Sequence, residues 1–191
     1  KAAGEAAVSA AFPEATIIRP SVVIGQEDGF FNLFAAVARL SPALPLIGSG
    51  ATKFQPVAVA DVAAAVVAAA TRPECVARIY EIGGPRIYSF RQLMEMMMAE
   101  TGRRRLLVPV PSVLAGLMAL PFDWLPVPLE WLPVPVMTRD QVAMLRVDNI
   151  AGGNYPGLSD LGVGPTMIET VLPGYLARYR RAGAESRAYS G

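Results

Sequence analysis

Short β-branched runs alternate with alanine-rich stretches, and this rhythm sets the architecture open to the chain. Residues 15–20 (ATIIRP) and 79–82 (IYEI) read as strands, the first with the apolar centre of a buried one. Residues 54–59 (FQPVAV) read as a third strand, with Pro56 marking an edge or a strand start. Helix-favouring stretches lie between them at residues 1–11, at 30–40, and from Asp61, whose carboxylate is placed to N-cap a helix reaching about Ala70. Further on, Ser89 caps a helix that Gly102 stops. Short strands are expected at 44–47 and 106–108, a helix at 112–120, one from Thr138 to about Val147, and a last one from Thr166 to about Arg181. Strand and helix in alternation, followed mostly by helices, imply an α/β fold: a sheet with helices, then a smaller α-rich lobe.

One stretch departs from this rhythm. Residues 121–135 hold Pro121, Pro126, Pro128, Pro133 and Pro135, with Trp124 and Trp131 among aliphatic side chains. Five prolines exclude a regular helix there, and with it a membrane-spanning one. Such a segment can dock on a partner, lie at a membrane interface, or fold back on its own core.

Hydrophobic residues make up 53% of the chain and charged residues 17%, below the roughly one quarter usual in soluble domains. The chain therefore buries surface against a partner or is a piece of a larger core. A formal net charge of +1 gives no electrostatic footprint for nucleic acid. The sequence contains no histidine, which removes histidine acid–base catalysis, Ser-His-Asp triads and His-ligated zinc. Its single cysteine, Cys75, suits a reducing compartment. The first residue is Lys1, and the chain reads as a fragment beginning inside a helix.

Four segments fall in a telling order: Lys1-Ala-Ala-Gly-Glu5, Ile17-Ile-Arg-Pro-Ser-Val-Val-Ile-Gly25, Phe54-Gln-Pro-Val-Ala-Val-Ala-Asp-Val62 and Ile79-Tyr-Glu-Ile-Gly-Gly84. This order resembles the second half of extended and atypical short-chain dehydrogenase/reductases, the epimerase/dehydratase-like group. A narrower set is Ala11-Phe-Pro-Glu-Ala15, Gly25-Gln-Glu-Asp28, Phe31-Asn-Leu-Phe-Ala35, Gln55-Pro-Val57, Thr138-Arg-Asp140 and Pro156-Gly-Leu-Ser-Asp-Leu-Gly162. It is similar to the reductase-like accessory subunits of respiratory complex I. The resemblance implies the C-terminal part of a Rossmann-like domain over residues 1–88, with inserted substrate-side segments, and an α-rich lobe over 89–181; the polar, small residues 182–191 read as a disordered tail. It also implies NADP(H) or NAD(H) as cofactor and complex I subunits as partners. The expected place is the cytoplasmic face of a bacterial inner membrane or the matrix side of a mitochondrial one.

The resemblance also assigns residues. Lys1 aligns with the catalytic-motif lysine, which hydrogen-bonds the nicotinamide ribose and lowers the pKa of a tyrosine four residues earlier. Pro20, Ser21, Val22 and Val23 sit where a strand end approaches the nicotinamide, or form a plain loop. Asn32 and Gln55 lie at positions facing the substrate pocket, or make cap and loop hydrogen bonds. Arg19 reads as a framework residue rather than a phosphate clamp. The Arg103-Arg104-Arg105 run reads as a solvated cluster or an anion contact, and the Met94, Met96, Met97 and Met98 helix as core. Gly48-Ser-Gly-Ala-Thr-Lys53 lacks phosphate-loop spacing and reads as a turn. No glycine-rich dinucleotide fingerprint occurs in the 191 residues. Three functions remain open: a subunit holding nucleotide structurally, an active NAD(P)-dependent oxidoreductase or epimerase, and a helper in ubiquinone synthesis.

Overall fold

A computed structural model describes residues 2–111 and 139–180. Lys1, the 112–120 helix, Trp124 and Trp131, the Thr138 cap and the 182–191 tail lie outside the described residues. The strands are β1 (Ile17–Pro20), β2 (Val23–Ile24), β3 (Ala43–Ile47), β4 (Lys53–Phe54), β5 (Val57–Ala58), β6 (Ile79–Ile82), β7 (Tyr88–Ser89) and β8 (Leu106–Val110). The helices are α1 (Ala2–Ala11), α2 (Phe31–Leu40), α3 (Val59–Thr71), α4 (Phe90–Thr101), α5 (Arg139–Met144) and α6 (Ile168–Leu176). No helix among the described residues is long and apolar enough to cross a membrane.

The chain forms two compact units that interleave in sequence. Among the described residues, 2–24, 55–87 and 150–168 make the first, and 25–54, 88–111, 139–149 and 169–180 the second. The chain crosses between the units at 24/25, 54/55, 87/88, 149/150 and 168/169, and two of these crossings cut stretches read from sequence as single elements, the 54–59 strand and the 166–181 helix. The 54–59 run is not a single strand but β4 in the second unit and β5 in the first, because Pro56 has no N–H to carry a ladder through.

In the first unit β1 pairs β6 in parallel, with Ile17 opposite Ile79 and Pro20 opposite Ile82, and β2 pairs β5 in parallel. Val57, Ala65, Tyr80, Ile82, Leu158 and Leu161 form its apolar core, with Cys75 beside them. The α/β class holds, with the parallel pairings as separate two-stranded ladders among the described residues.

In the second unit β3 pairs β8 in parallel and β4 pairs β7 antiparallel. Strand β3 tolerates Pro45 because it has one neighbour only among the described strands, leaving a side on which no N–H is demanded. Five phenylalanines, Phe30, Phe31, Phe34, Phe54 and Phe90, meet at ring-centroid distances of 5.2 to 6.3 Å, mostly edge to face. Met94 and Met97 are fully buried, as core packing of their helix requires.

Helix α4 is bounded as expected. Ser89 Oγ accepts from the Gln92 N–H at 3.2 Å, Gln92 Oε1 accepts from the Ser89 N–H at 2.7 Å, and Gly102 closes the helix in the left-handed region. Helix α3 corrects its expectation. It begins at Val59, with Ala58 in the cap position and no side-chain cap. Asp61 lies inside the first turn, buried, and accepts from both the N–H (2.7 Å) and the hydroxyl (2.8 Å) of Thr166. Two donors from one residue satisfy a desolvated carboxylate better than a single cap bond. Thr166 is thus a clasp rather than a helix start, and α6 begins at Ile168.

Candidate functional site

Strands β1 and β6 run parallel and end side by side, and the carboxyl ends of parallel strands are where ligands collect in α/β sheets. The chain leaving β1 is pinned on both flanks. The Ser21 N–H donates to the Ile82 carbonyl at 2.9 Å, and the Val22 carbonyl accepts from the Val57 N–H at 2.9 Å. Val23 then pairs with Val57 in β2–β5. Pro20 is exposed, and Ser21, Val22 and Val23 are half-buried. The four residues expected near a nicotinamide form a fixed wall at this strand end.

Beside it, Gly83 and Gly84 leave β6. A Cβ on Gly84 would stand 1.9 Å from the Pro56 carbonyl oxygen, and one on Gly83 would stand 2.6 Å from the Gln55 side chain. Both glycines are set by close approach, a stronger demand than the simple turn read from sequence. Gln55 explains part of that approach. Its Nε2 donates to the Gly84 carbonyl at 2.8 Å, and its Oε1 accepts from the Ala151 N–H at 2.9 Å. Both ends of this amide fasten backbone within the first unit.

Asn32, in the second unit, behaves similarly. Its Nδ2 donates to the carbonyls of Gln26 (3.1 Å) and Asp28 (2.8 Å), holding the loop before α2. Asp28 Oδ1 accepts from the Phe31 N–H at 2.5 Å. Asn32 Oδ1, Asp28 Oδ2 and the Tyr175 hydroxyl are buried there with no hydrogen-bond partner among the described residues. Burial, with the Asp28 carboxylate close by, holds the Tyr175 phenol protonated far above the usual tyrosine range.

Arg19 is a framework residue, as its position implies. Its guanidinium bonds both carboxylate oxygens of Glu5, reaches Glu81 at 3.3 Å, and lies 4.9 Å from the Tyr155 ring centroid. Hydrogen bonding to Arg19 holds the Glu5 carboxyl below its ordinary range. Glu81 also accepts from the Gly152 N–H at 3.0 Å. Arg103 and Arg105 cap carbonyls, donating to Tyr179 (3.2 Å) and Ala38 (2.8 Å). Sequence reasoning missed Glu81, Tyr155 and Thr166, whose partners lie tens of residues away with no local pattern to announce them. Among the described residues no acidic or cysteine cluster could hold a metal ion.

No protein-family model matches the chain. NADH dehydrogenase (ubiquinone) 1 alpha subcomplex subunit 9, mitochondrial, of Arabidopsis thaliana is 38% identical over 186 residues, covering 96% of this chain and 46% of that protein. The Mus musculus protein of the same name is 36% identical over 181 residues, covering 94% and 46%. The chain thus spans about half the length of these curated relatives. Among solved structures, dTDP-glucose 4,6-dehydratase DesIV from Streptomyces venezuelae, with NAD and TYD bound, superposes with a TM-score of 0.60 at 18% identity. That match covers 91% of this chain and 46% of the dehydratase, and it establishes the Rossmann-like epimerase/dehydratase fold.

Proposed function

We propose that the chain, which is similar over 96% of its length to the complex I alpha-subcomplex subunit 9 of Arabidopsis thaliana, serves as a nucleotide-binding accessory subunit of respiratory NADH:quinone oxidoreductase. The observation that carries this reading is the 38% identity over 96% of the chain to a subunit of that complex. NADP(H) or NAD(H) is bound and kept rather than turned over. Pro20, Ser21, Val22 and Val23 would wall the nicotinamide ring, and Lys1 would hydrogen-bond its ribose. The pinned strand end fits a planar ring, since the backbone there is fixed before any ligand arrives. When bound, nicotinamide can supply hydride chemistry. The side chains expected to orient a substrate, Asn32 and Gln55, are engaged with their own backbone, which favours a retained nucleotide over a reacting one.

A nucleotide that binds only the folded state stabilises it by mass action, a sufficient role for an assembly subunit. The Trp124–Trp131 segment would make a peripheral membrane contact. The protein would then work on the matrix side of a mitochondrial inner membrane or the cytoplasmic face of a bacterial one.

The test is to denature the purified full-length protein and identify what it releases by mass spectrometry. Stoichiometric NADP(H) or NAD(H), unchanged in redox state by carbonyl substrates before denaturation, is the expected result. Absence of retained nucleotide, together with turnover on adding NAD(P)H and a carbonyl compound, would overturn the reading in favour of an enzyme.

A further inference from the structure

An open cavity of about 460 Å³ lies within the second unit, against the loop that follows β3. The loop turns on two glycines in the left-handed region, Gly48 (φ 65°) and Gly50 (φ 74°). Their N–H groups are used, donating to the carbonyls of Val110 (2.8 Å) and Ile47 (3.3 Å). The carbonyls of Gly50 and Thr52 are used too, because the start of α4 needs acceptors. Arg91 N–H bonds the first at 3.0 Å and Phe90 N–H the second at 2.8 Å. What remains is an excess of donors. The N–H groups of Ser49, Ala51 and Thr52, and the hydroxyls of Ser49 and Thr52, have no partner among the described residues.

Arg146 lines the same cavity, exposed, and pairs with no carboxylate among the described residues. Asp148, also lining it, does not approach Arg146 as an ion pair. One of its oxygens accepts from the Lys53 N–H at 2.8 Å, which leaves the other as an acceptor.

We propose that this cavity binds a phosphorylated polyol, a phosphate group with a hydroxyl on a nearby carbon. A guanidinium and a run of unpaired N–H groups favour a phosphate, whose oxygens take several charge-assisted hydrogen bonds at once. A bare phosphate would also face the Asp148 carboxylate and be repelled by it. A neutral polyol would leave Arg146 unanswered. A molecule carrying both groups satisfies both walls. Neither the cavity nor its ligand depends on the nucleotide reading, since none of its residues belongs to the strand end described above.

The full-length protein is titrated calorimetrically with glycerol 3-phosphate, inorganic phosphate and glycerol, and sedimented with phosphatidylcholine vesicles with and without phosphatidylglycerol. Saturable binding of glycerol 3-phosphate, tighter than of inorganic phosphate, identifies a soluble ligand. Sedimentation that requires phosphatidylglycerol, without glycerol 3-phosphate binding, identifies a lipid headgroup as the source of the same chemistry. In either case Arg146→Gln is expected to weaken binding by about tenfold to a hundredfold, the loss of one charged hydrogen-bonding partner. Asp148→Asn keeps the acceptor for Lys53 and is expected to narrow the preference over inorganic phosphate. Retained nucleotide is measured on the same samples and is expected to be the same in both variants. The proposal is overturned if Arg146→Gln binds like the parent protein, or if neither glycerol 3-phosphate nor phosphatidylglycerol vesicles bind.

Discussion

The first unit and helix α4 of the second are fastened by different means. In the first, polar side chains reach across long stretches of sequence to hold backbone. Asp61 holds Thr166, Gln55 holds Gly84 and Ala151, and Glu81 holds Gly152. In the second, α4 is bounded by neighbours: Ser89 and Gln92 at its start, Gly102 at its end. The first device demands that two distant segments already be in place, so its loss leaves buried polar groups without partners. The second acts within one turn, and water can replace it. The long-range fasteners should therefore carry more stability per residue than the local ones.

The largest effect is expected at Gly84. An added methyl would meet the Pro56 carbonyl oxygen at 1.9 Å, and that atom is backbone held next to β5. Relief requires moving the strand rather than rotating a side chain. Gly84→Ala should destabilise the protein by more than about 3 kcal/mol in chemical denaturation, in the range of severe overpacking. A loss under about 1 kcal/mol would mean that the β6 exit is plastic. Asp61→Ala comes next. It strands the N–H and hydroxyl of Thr166 in a half-buried place, and should cost about 2–3 kcal/mol. Asp61→Asn, which keeps an acceptor, should recover part of that loss.

The same contrast decides what could be read from sequence. The α4 capping box and its glycine stop were legible because both partners lie within one turn. The buried methionines were legible because helical spacing predicts them, and Arg19 because its strand position implied a framework. Asp61 was misread because a carboxylate near a helix start resembles a cap whenever its partner, here 105 residues away, is out of view. The 54–59 run was read as one strand because β-branched propensity does not record that Pro56 breaks the ladder. Asn32 and Gln55 were assigned to the substrate side, or to loop bonds, by analogy of position. Only geometry shows their amides on the carbonyls of Gln26, Asp28 and Gly84.

Smaller effects belong to the second unit. Ser89→Ala removes half of the capping box and should cost about 1 kcal/mol, with Gln92 N–H turning to water. If it cost as much as Asp61→Ala, the distinction between the two kinds of fastener would fail. The smallest effect is at Glu100, near the end of α4. It is buried and lies 3.6 Å from Arg180, which is partly exposed. Burial raises its carboxyl pKa above the ordinary 4.5, with Arg180 opposing the shift only in part. A carboxyl that binds its proton more tightly in the folded state favours folding most at low pH. That contribution is complete below pH 4.5 and is lost as pH rises through the folded-state value. Glu100→Gln cannot titrate, so its stability relative to the parent should improve as pH is raised from 4.5 toward neutrality. Urea midpoints of the two proteins across that window would measure the trend. A difference between them that stayed constant with pH would show that Arg180 fully compensates the buried charge.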